Sequence, residues 1–253
     1  MTAEIILLCI AAFLAGFTDA ISGGGGLIQT PAALILLPQY PAVTVIGSLK
    51  LPASCGTFIA AIQYARKIKL NVAMIAVLIV IAFAAAFAGS KLLTLVSNGF
   101  IKPFLLVVLI GVAIYTYSNK KFGVHIEKDH SMSQQWSRAI LISLVLGFYD
   151  GFIGPGAGSF MMLCFITLLG YDFLTSSAHT KMVNLASNFG SLVFFIISGK
   201  ILYAIALPMA ACNALGGLLG ARLAILKGNA FIRMFFLVVV IIVIIRFAWD
   251  VFK

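Results

Sequence analysis

AGFTDAISGGGGLIQTPAAL, residues 15–34, interrupts an apolar segment with an aspartate and four consecutive glycines. A second copy of this break, GFYDGFIGPGAGSF, follows 131 positions later at residues 147–160. Further along, each copy is followed by a lysine inside an apolar run, Lys50 and, at the same offset, Lys181. Repeats whose apolar segments are interrupted by Gly and Pro at matching positions indicate the substrate site of a secondary transporter.

The composition around these breaks is that of a helical membrane protein. Of the 253 residues, 62% are hydrophobic and 9% are charged, whereas charged residues make up about 25% of soluble proteins. Several apolar stretches reach the roughly 20 residues that a helix needs to cross a bilayer, and none shows the alternation of a spanning strand. We therefore predict an all-α polytopic membrane protein with apolar segments at 5–21, 27–37, 43–65, 70–97, 101–118, 137–153, 158–170, 174–198, 201–226 and 230–252.

These ten segments divide into two repeats of five. We predict a first transmembrane repeat at 1–118, a cytoplasmic linker at 119–135 and a second transmembrane repeat at 136–253. Because an odd number of segments returns the second repeat from the opposite side, the repeats should have inverted topology. The first two segments of each repeat should form a broken or re-entrant helical hairpin, since a segment such as 27–37 is too short for a hydrocarbon core of about 30 Å. Two full spans are the alternative.

The basic residues predict the orientation of the chain. The net charge of +10 would suggest nucleic acid in a soluble protein, but here the basic residues flank apolar segments, ten on one side and five on the other. The positive-inside rule makes the richer side cytoplasmic, so both termini are predicted outside. The first segment is expected to stay in the protein, because it carries Glu4 and lacks the basic start of a signal peptide.

The glycine clusters and the lysines predict an anion site. Non-helical backbone at membrane depth must be buried or line a cavity, and the helix N-termini that follow it attract anions. A lysine at the centre of a spanning helix costs at least about 2.5 kcal/mol, so each lysine should either bind the substrate or neutralise an aspartate. The predicted substrate-binding residues are Gly24, Gly25, Gly26, Lys50, Ser54, Thr57, Gly156, Ala157, Gly158, His179, Lys181, Asn184 and Asn188.

The remaining polar residues have open roles. Asp19 and Asp150 are expected either to bind a coupling ion or proton, or to be structural, capping the next half-helix or bonding to the glycine turn. Gln29 and Asn213 are interpreted as bridges between helices. The four cysteines lie apart in apolar segments and predict neither a disulfide nor a metal site, and no cofactor is expected.

The same segments resemble the TauE/SafE sulfite-exporter family of membrane transporters. Residues 15–34 and 147–160 carry the likeness together with GSLKLPASCGTFIAAIQYARK at 47–67, AHTKMVNLASNFGSLVFF at 178–195 and SGKI at 198–201. The resemblance implies a bacterial inner-membrane transporter of sulfur-containing oxoanions or organosulfonates, such as sulfite or sulfoacetate. Pro52 departs from the family pattern, so the first repeat is expected to contribute fewer hydrogen bonds than the second.

The leading hypothesis is a secondary transporter that moves a small anion by alternating access, coupled to protons or sodium. A passive anion channel is an alternative. An intramembrane aspartyl protease is less favoured, because each aspartate precedes its glycines instead of following a GxG sequence. No GK[ST] follows the glycines 23–26, so ATP hydrolysis is not expected. The chain is predicted not to be an enzyme. The oligomeric state is left open.

Overall fold

The structure, a computed structural model, describes residues 2–97 and 131–252, without the side chains of residues 2, 233, 236, 237 and 239–252. This part of the chain contains eight α-helices and no strand, which confirms the predicted all-α class. The helices are α1 (Thr2–Ser22), α2 (Gly25–Leu36), α3 (Ala42–Ala65), α4 (Val72–Leu95), α5 (Met132–Phe152), α6 (Ala157–Leu169), α7 (Phe173–Ile197) and α8 (Tyr203–Phe252).

The helices follow the predicted apolar segments closely. Helix α8 covers the last two segments, which are separated at Gly228 by a φ of 70° and a ψ of −162°. Helix α5 begins at Met132, inside the predicted linker, because the Ser131 side chain accepts the Gln134 N–H and so caps the helix there. The predicted segment 101–118 and most of the linker 119–135 lie outside the described residues.

Five of the described helical regions are long and apolar enough to cross a membrane. They are Ala3–Ser22, Ala42–Ala65, Val72–Leu95, Phe173–Ile197 and Tyr203–Ile232. Helices α2 and α6 have 12 and 13 residues, which corresponds to roughly 20 Å at 1.5 Å per residue. Neither is long enough to cross a hydrocarbon core of about 30 Å alone.

The distribution of side chains suits a lipid environment. Large apolar side chains such as Ile35 and Leu144 are exposed on the outside of the bundle, whereas Lys50, Lys181 and Asn188 are buried inside it. Polar groups in the membrane interior are expensive unless they face other protein groups or a cavity. The chain is thus apolar outside and polar at its centre, the reverse of a soluble protein.

Two apolar clusters mark the two ends of the helix bundle. One joins Tyr64 near the end of α3 to Phe173 at the start of α7. The other joins Val43 at the start of α3 to Ile201, which precedes α8. The loop after α3 and the loop before α7 therefore share one end, and the loops before α3 and before α8 share the other.

Helices from the first half of the chain pack mainly on helices from the second half. The most extensive contacts are between α1 and α8 and between α4 and α5. A Cβ added to Gly220 would lie 2.4 Å from the Phe17 carbonyl oxygen, and one added to Gly89 would lie 2.2 Å from that of Phe148. Such close approach is typical of small residues between membrane helices. The two glycines are 131 positions apart, and so are the two phenylalanines.

Candidate functional site

The two glycine-rich breaks meet inside the bundle. Gly23, between α1 and α2, and Gly154, between α5 and α6, have φ angles of 76° and 95°. A Cβ on Gly158 would lie 2.7 Å from the Gly23 carbonyl oxygen, and that oxygen accepts the Ser159 N–H over 3.1 Å. Only glycine combines a positive φ with so close a contact at little cost. Gly23, Gly158 and Ser159 therefore join the two halves of the chain inside the helix bundle.

The helices that start at these breaks have no side-chain caps. Asn71, Ser131 and Asp172 each accept a backbone N–H at the start of α4, α5 and α7. At α2 and α6 the cap positions are Gly24 and Gly156, and no side chain bonds there. Asp19 and Asp150 thus form no cap on these helices in this structure, and their carboxylates accept hydrogen bonds from lysines.

Two buried ion pairs link the halves crosswise. The Lys50 Nζ lies 3.0 Å from the Asp150 Oδ1 and donates to the Asp150 carbonyl over 2.6 Å. The Lys181 Nζ lies 2.8 Å from the Asp19 Oδ2 and also donates to the Asp19 carbonyl. Removing one partner of such a pair leaves an uncompensated buried charge. Of the two roles left open for the lysines, the neutralisation of an aspartate is present in this structure.

Asp150 has the more complete set of partners. In addition to Lys50, its Oδ2 accepts from the Asn184 Nδ2 over 3.1 Å and from the Ser187 Oγ. Its side chain is 5% exposed. Three side chains in the described part of the chain thus donate to this carboxylate, and the pair with Lys50 is held in a fixed geometry.

Asp19 has fewer partners and more access. Besides Lys181 it accepts one weak hydrogen bond, from the Thr57 Oγ1 over 3.4 Å, and its side chain is 18% exposed. The positions that correspond to the amide and hydroxyl donors around Asp150 hold Ala53 and Gly56, which have no polar side chain. The fewer hydrogen bonds expected of the first repeat are seen at this carboxylate.

A partly enclosed cavity lies between the two ion pairs. Its volume is about 60 Å³, and it is partly open to the outside. Residues of the predicted site that line it are Asp19, Gly25, Gly26, Lys50, Thr57, Asp150, Gly158, Asn184 and Asn188. The structure therefore brings most of the charged and amide side chains singled out in the sequence to one place.

Other predicted residues lie beside the cavity and do not line it. Lys181 is behind Asp19 with its side chain 1% exposed. The Ser54 Oγ donates to the Lys50 carbonyl over 2.7 Å, within α3. Gly24, Gly156 and Ala157 occupy the starts of α2 and α6 but are not among the lining residues.

His179 lies in an aromatic cluster away from the cavity. The centre of its ring is 4.7 Å from that of Tyr171 and 5.6 Å from that of Phe165. Its Nδ1 is 2.9 Å from the Thr175 carbonyl oxygen. His179 is two positions before Lys181 on α7, and side chains at that spacing do not share a helix face. The structure does not bring His179 to the other site residues.

Gln29 and Asn213 line the cavity as well as joining two helices. The Asn213 Nδ2 donates to the Gln29 Oε1 over 3.0 Å, which confirms the predicted bridge, here between α8 and α2. The Gln29 Nε2 is buried and has no hydrogen-bond partner in the described part of the chain. The sequence contained one signal that Gln29 also lines the cavity. Gln29 lies one helical turn after Gly25, on the same face of α2.

The chemical groups available in the cavity are ammonium, carboxylate, amide, hydroxyl and backbone N–H. Within residues 2–97 and 131–252, no group of three His, Cys, Asp or Glu side chains could hold a metal ion. The four cysteines are unpaired and partly buried. These groups can bind a small anion and exchange a proton.

Comparisons with known proteins agree on one family. The family model described as sulfite exporter TauE/SafE matches residues 8–247. The probable membrane transporter protein ORF9 of Sinorhizobium sp is 35% identical over 97% of this chain and 93% of its own length. A probable membrane transporter protein of Haemophilus influenzae is 34% identical over 97% of this chain and 94% of its own.

The probable membrane transporter protein YfcA of Escherichia coli K12 is also similar, at 33% identity over 96% of this chain and 89% of its own length. No solved structure matches the chain. The family match covers both glycine-rich breaks and both lysine–aspartate pairs. This multi-pass membrane protein therefore belongs to the TauE/SafE sulfite exporter family of membrane transporters.

Proposed function

We propose that the chain is a secondary transporter that carries a small sulfur-containing oxoanion across the bacterial inner membrane. Sulfite and organosulfonates such as sulfoacetate are the proposed substrates. The observation that carries the proposal is the central cavity, which is lined by glycines of both breaks and by Asp19, Lys50 and Asp150. A polar chamber inside an apolar bundle gives an anion a place to bind away from lipid.

Alternating access by two inverted repeats, 1–118 and 136–253, is the proposed mechanism. The support lies in contacts that recur at equivalent positions, Gly89 with Phe148 and Gly220 with Phe17. The crossed ion pairs add to this support, since each joins α3 or α7 of one repeat to the hairpin of the other. Movement of one repeat against the other would have to alter both pairs.

The charge balance of the site suggests how binding and coupling are linked. Two lysines face two aspartates, so the four groups together are neutral when all are charged. If a proton neutralises one carboxylate, its lysine is left with an uncompensated charge, which favours the entry of an anion. A proton and an anion then bind together.

Asp19 is the proposed coupling carboxylate and Asp150 the structural one. The support is the difference in their surroundings: Asp19 is 18% exposed and has a weak second donor, whereas Asp150 is 5% exposed and has two more donors besides its lysine. Neutralising Asp150 would weaken more hydrogen bonds to a charged acceptor than neutralising Asp19. Whether a proton or a sodium ion is the coupling ion is tested by comparing uptake under a proton gradient with uptake under a sodium gradient.

Uptake into proteoliposomes tests this function. We expect labelled sulfite or sulfoacetate to accumulate under an imposed proton gradient, and Lys50→Ala and Lys181→Ala to abolish the uptake. Lys91→Ala, which changes an exposed lysine on α4, is the matched control and should transport normally. Uptake that only equilibrates, or that follows a sodium gradient alone, would contradict proton coupling, and wild-type rates in both lysine variants would remove the lysines from the mechanism.

The coupling role is tested by Asp19→Asn, which mimics a protonated carboxylate without titrating. We expect this variant to exchange anion across the membrane but to lose accumulation driven by the proton gradient. Counterflow of labelled anion and gradient-driven uptake are measured on the same vesicles. Accumulation at the wild-type level would exclude Asp19 as the coupling group.

A further inference from the structure

The starts of the two half-helices are not equivalent. The first turn of α6 is occupied by the end of α1, since the Ser159 N–H and Oγ donate to the Gly23 and Ser22 carbonyls over 3.1 and 2.9 Å. At the start of α2, Gly25 and Gly26 line the cavity. Among the described residues, their N–H groups make no hydrogen bond to the backbone of another element, and no side chain caps this helix. Gly158 in the first turn of α6 also lines the cavity, but Ser159 beside it is already bonded to the end of α1, so the first turn of α2 is the less occupied of the two.

The Gln29 side chain adds a third donor beside the Gly25 and Gly26 N–H groups. It lies one turn after Gly25 on α2, is 4% exposed and lines the cavity. Its Nε2 is buried without a partner among the described residues. The Asn213 Nδ2 donates to the Gln29 Oε1 and so fixes the amide with its Nε2 end free. A buried donor is costly to leave unpaired, so an acceptor from outside the chain would satisfy it.

We propose that Gln29 and the first turn of α2 form the subsite that binds the oxyanion head of the substrate. The Gly25 and Gly26 N–H groups and the Gln29 Nε2 donate to its oxygens, and Asn213 is a positioning residue that orients the amide. The inference rests on the proposed function and assigns its anion to one half of the molecule. A sulfite or sulfonate group offers three oxygens to these three donors.

The electrostatics of this subsite favour an anion. The N-terminus of a helix carries a partial positive charge, and here no side chain caps it. The carboxylates nearby are each paired with a lysine, so they do not leave the cavity with a net negative charge. The start of α2 therefore attracts an anion, whereas each lysine is already neutralised by its aspartate.

Equilibrium binding to the purified full chain in detergent tests the subsite. Sulfite and methanesulfonate are the anionic probes, and dimethyl sulfone is the uncharged comparison. We expect Gln29→Leu to weaken the affinity for both anions by about tenfold or more, because a hydrogen bond to a charged group is lost. We expect Gln29→Glu to weaken it further, because a carboxylate repels the anion.

Gln63→Leu is the matched control. Gln63 also joins two helices, its Nε2 donating to the Leu218 carbonyl over 3.1 Å, but it does not line the cavity. This variant should keep the wild-type affinity. Wild-type affinity in Gln29→Leu, an equal loss in Gln63→Leu, or no binding of either anion to the wild type would overturn the subsite. Transport that persists while Gln29→Leu binds normally would overturn the subsite alone and leave the proposed function standing.

Discussion

Lys50 and Lys181 show how single residues hold the two halves of this protein together. Each lysine extends from the middle of a helix to the carboxylate and carbonyl of an aspartate in the other half. Two charges buried in this way are stable as a pair, but either one alone is strongly destabilising. Replacing one residue of either pair is therefore expected to destabilise the fold.

A double-mutant cycle tests the crossed pairing. Lys50→Met should lower the free energy of unfolding by about 3–5 kcal/mol, because it leaves the buried Asp150 carboxylate without a counter-charge. The double variant with Asp150→Leu should cost less than the sum of the two single changes, with a coupling energy of about 1–3 kcal/mol. Combining Lys50→Met with Asp19→Leu should show much weaker coupling. Unfolding in detergent measures every variant of both cycles, and a larger coupling of Lys50 with Asp19 than with Asp150 would contradict the structure.

The sequence was enough to identify the buried lysines and aspartates, but it did not predict which of them pair. The lysines were identifiable because a charge in an apolar run is rare, and the aspartates because they recur at one offset. Their crossed partners were not, since Lys50 and Asp150 are 100 positions apart and no local pattern links them. The free end of the Gln29 amide was equally hidden, because it depends on where Asn213 lies in the folded chain.

At the scale of secondary structure, the position of the candidate site is set by the half-helices α2 and α6. They start at the protein centre because glycine allows positive φ angles and backbone contact at the breaks. Their existence followed from sequence, since a short apolar segment after a glycine cluster cannot cross the membrane. The unequal occupation of their first turns did not, because it results from the contact of Gly23 with Ser159 across the halves.

Gly23→Ala tests the contact between the breaks. A Cβ at Gly23 would lie 2.3 Å from the Gly158 carbonyl carbon, in addition to the strain of its φ of 76°. Gly199→Ala is the matched control, since its φ is 64° but nothing lies within 4 Å of the added atom. We expect Gly199→Ala to cost about 1–2 kcal/mol and Gly23→Ala to cost clearly more. Thermal unfolding measures both, and equal shifts would mean that the contact is unimportant.

At the scale of the whole molecule, the described helices form a bundle with loops at two opposite ends. The loop after α3, with Arg66, Lys67 and Lys69, and the loop with Lys200 lie at opposite ends. Hydropathy predicted the spanning helices because lipid requires long apolar stretches. The intertwined packing of α1 on α8 and of α4 on α5 was beyond such reasoning, because hydropathy does not say which helices are neighbours.

Cysteine labelling in intact cells tests the proposed orientation. In a background without the four native cysteines, a cysteine at Lys67 should react only after the cytoplasmic side is opened to the reagent. A cysteine at Lys200 should react from outside, since the positive-inside rule assigns the two ends in this way. Labelling of both positions from the same side would contradict the arrangement of helices, and the reverse result would invert the orientation.

The unequal partners of Asp150 and Asp19 have a further consequence. In a molecule of two inverted repeats, the inward-open and outward-open forms are related by exchanging the conformations of the repeats. If both lysine–aspartate pairs were the same, the two forms would have nearly equal energies. One pair has more donors than the other, so we expect the empty protein to rest mainly with its entrance on one side.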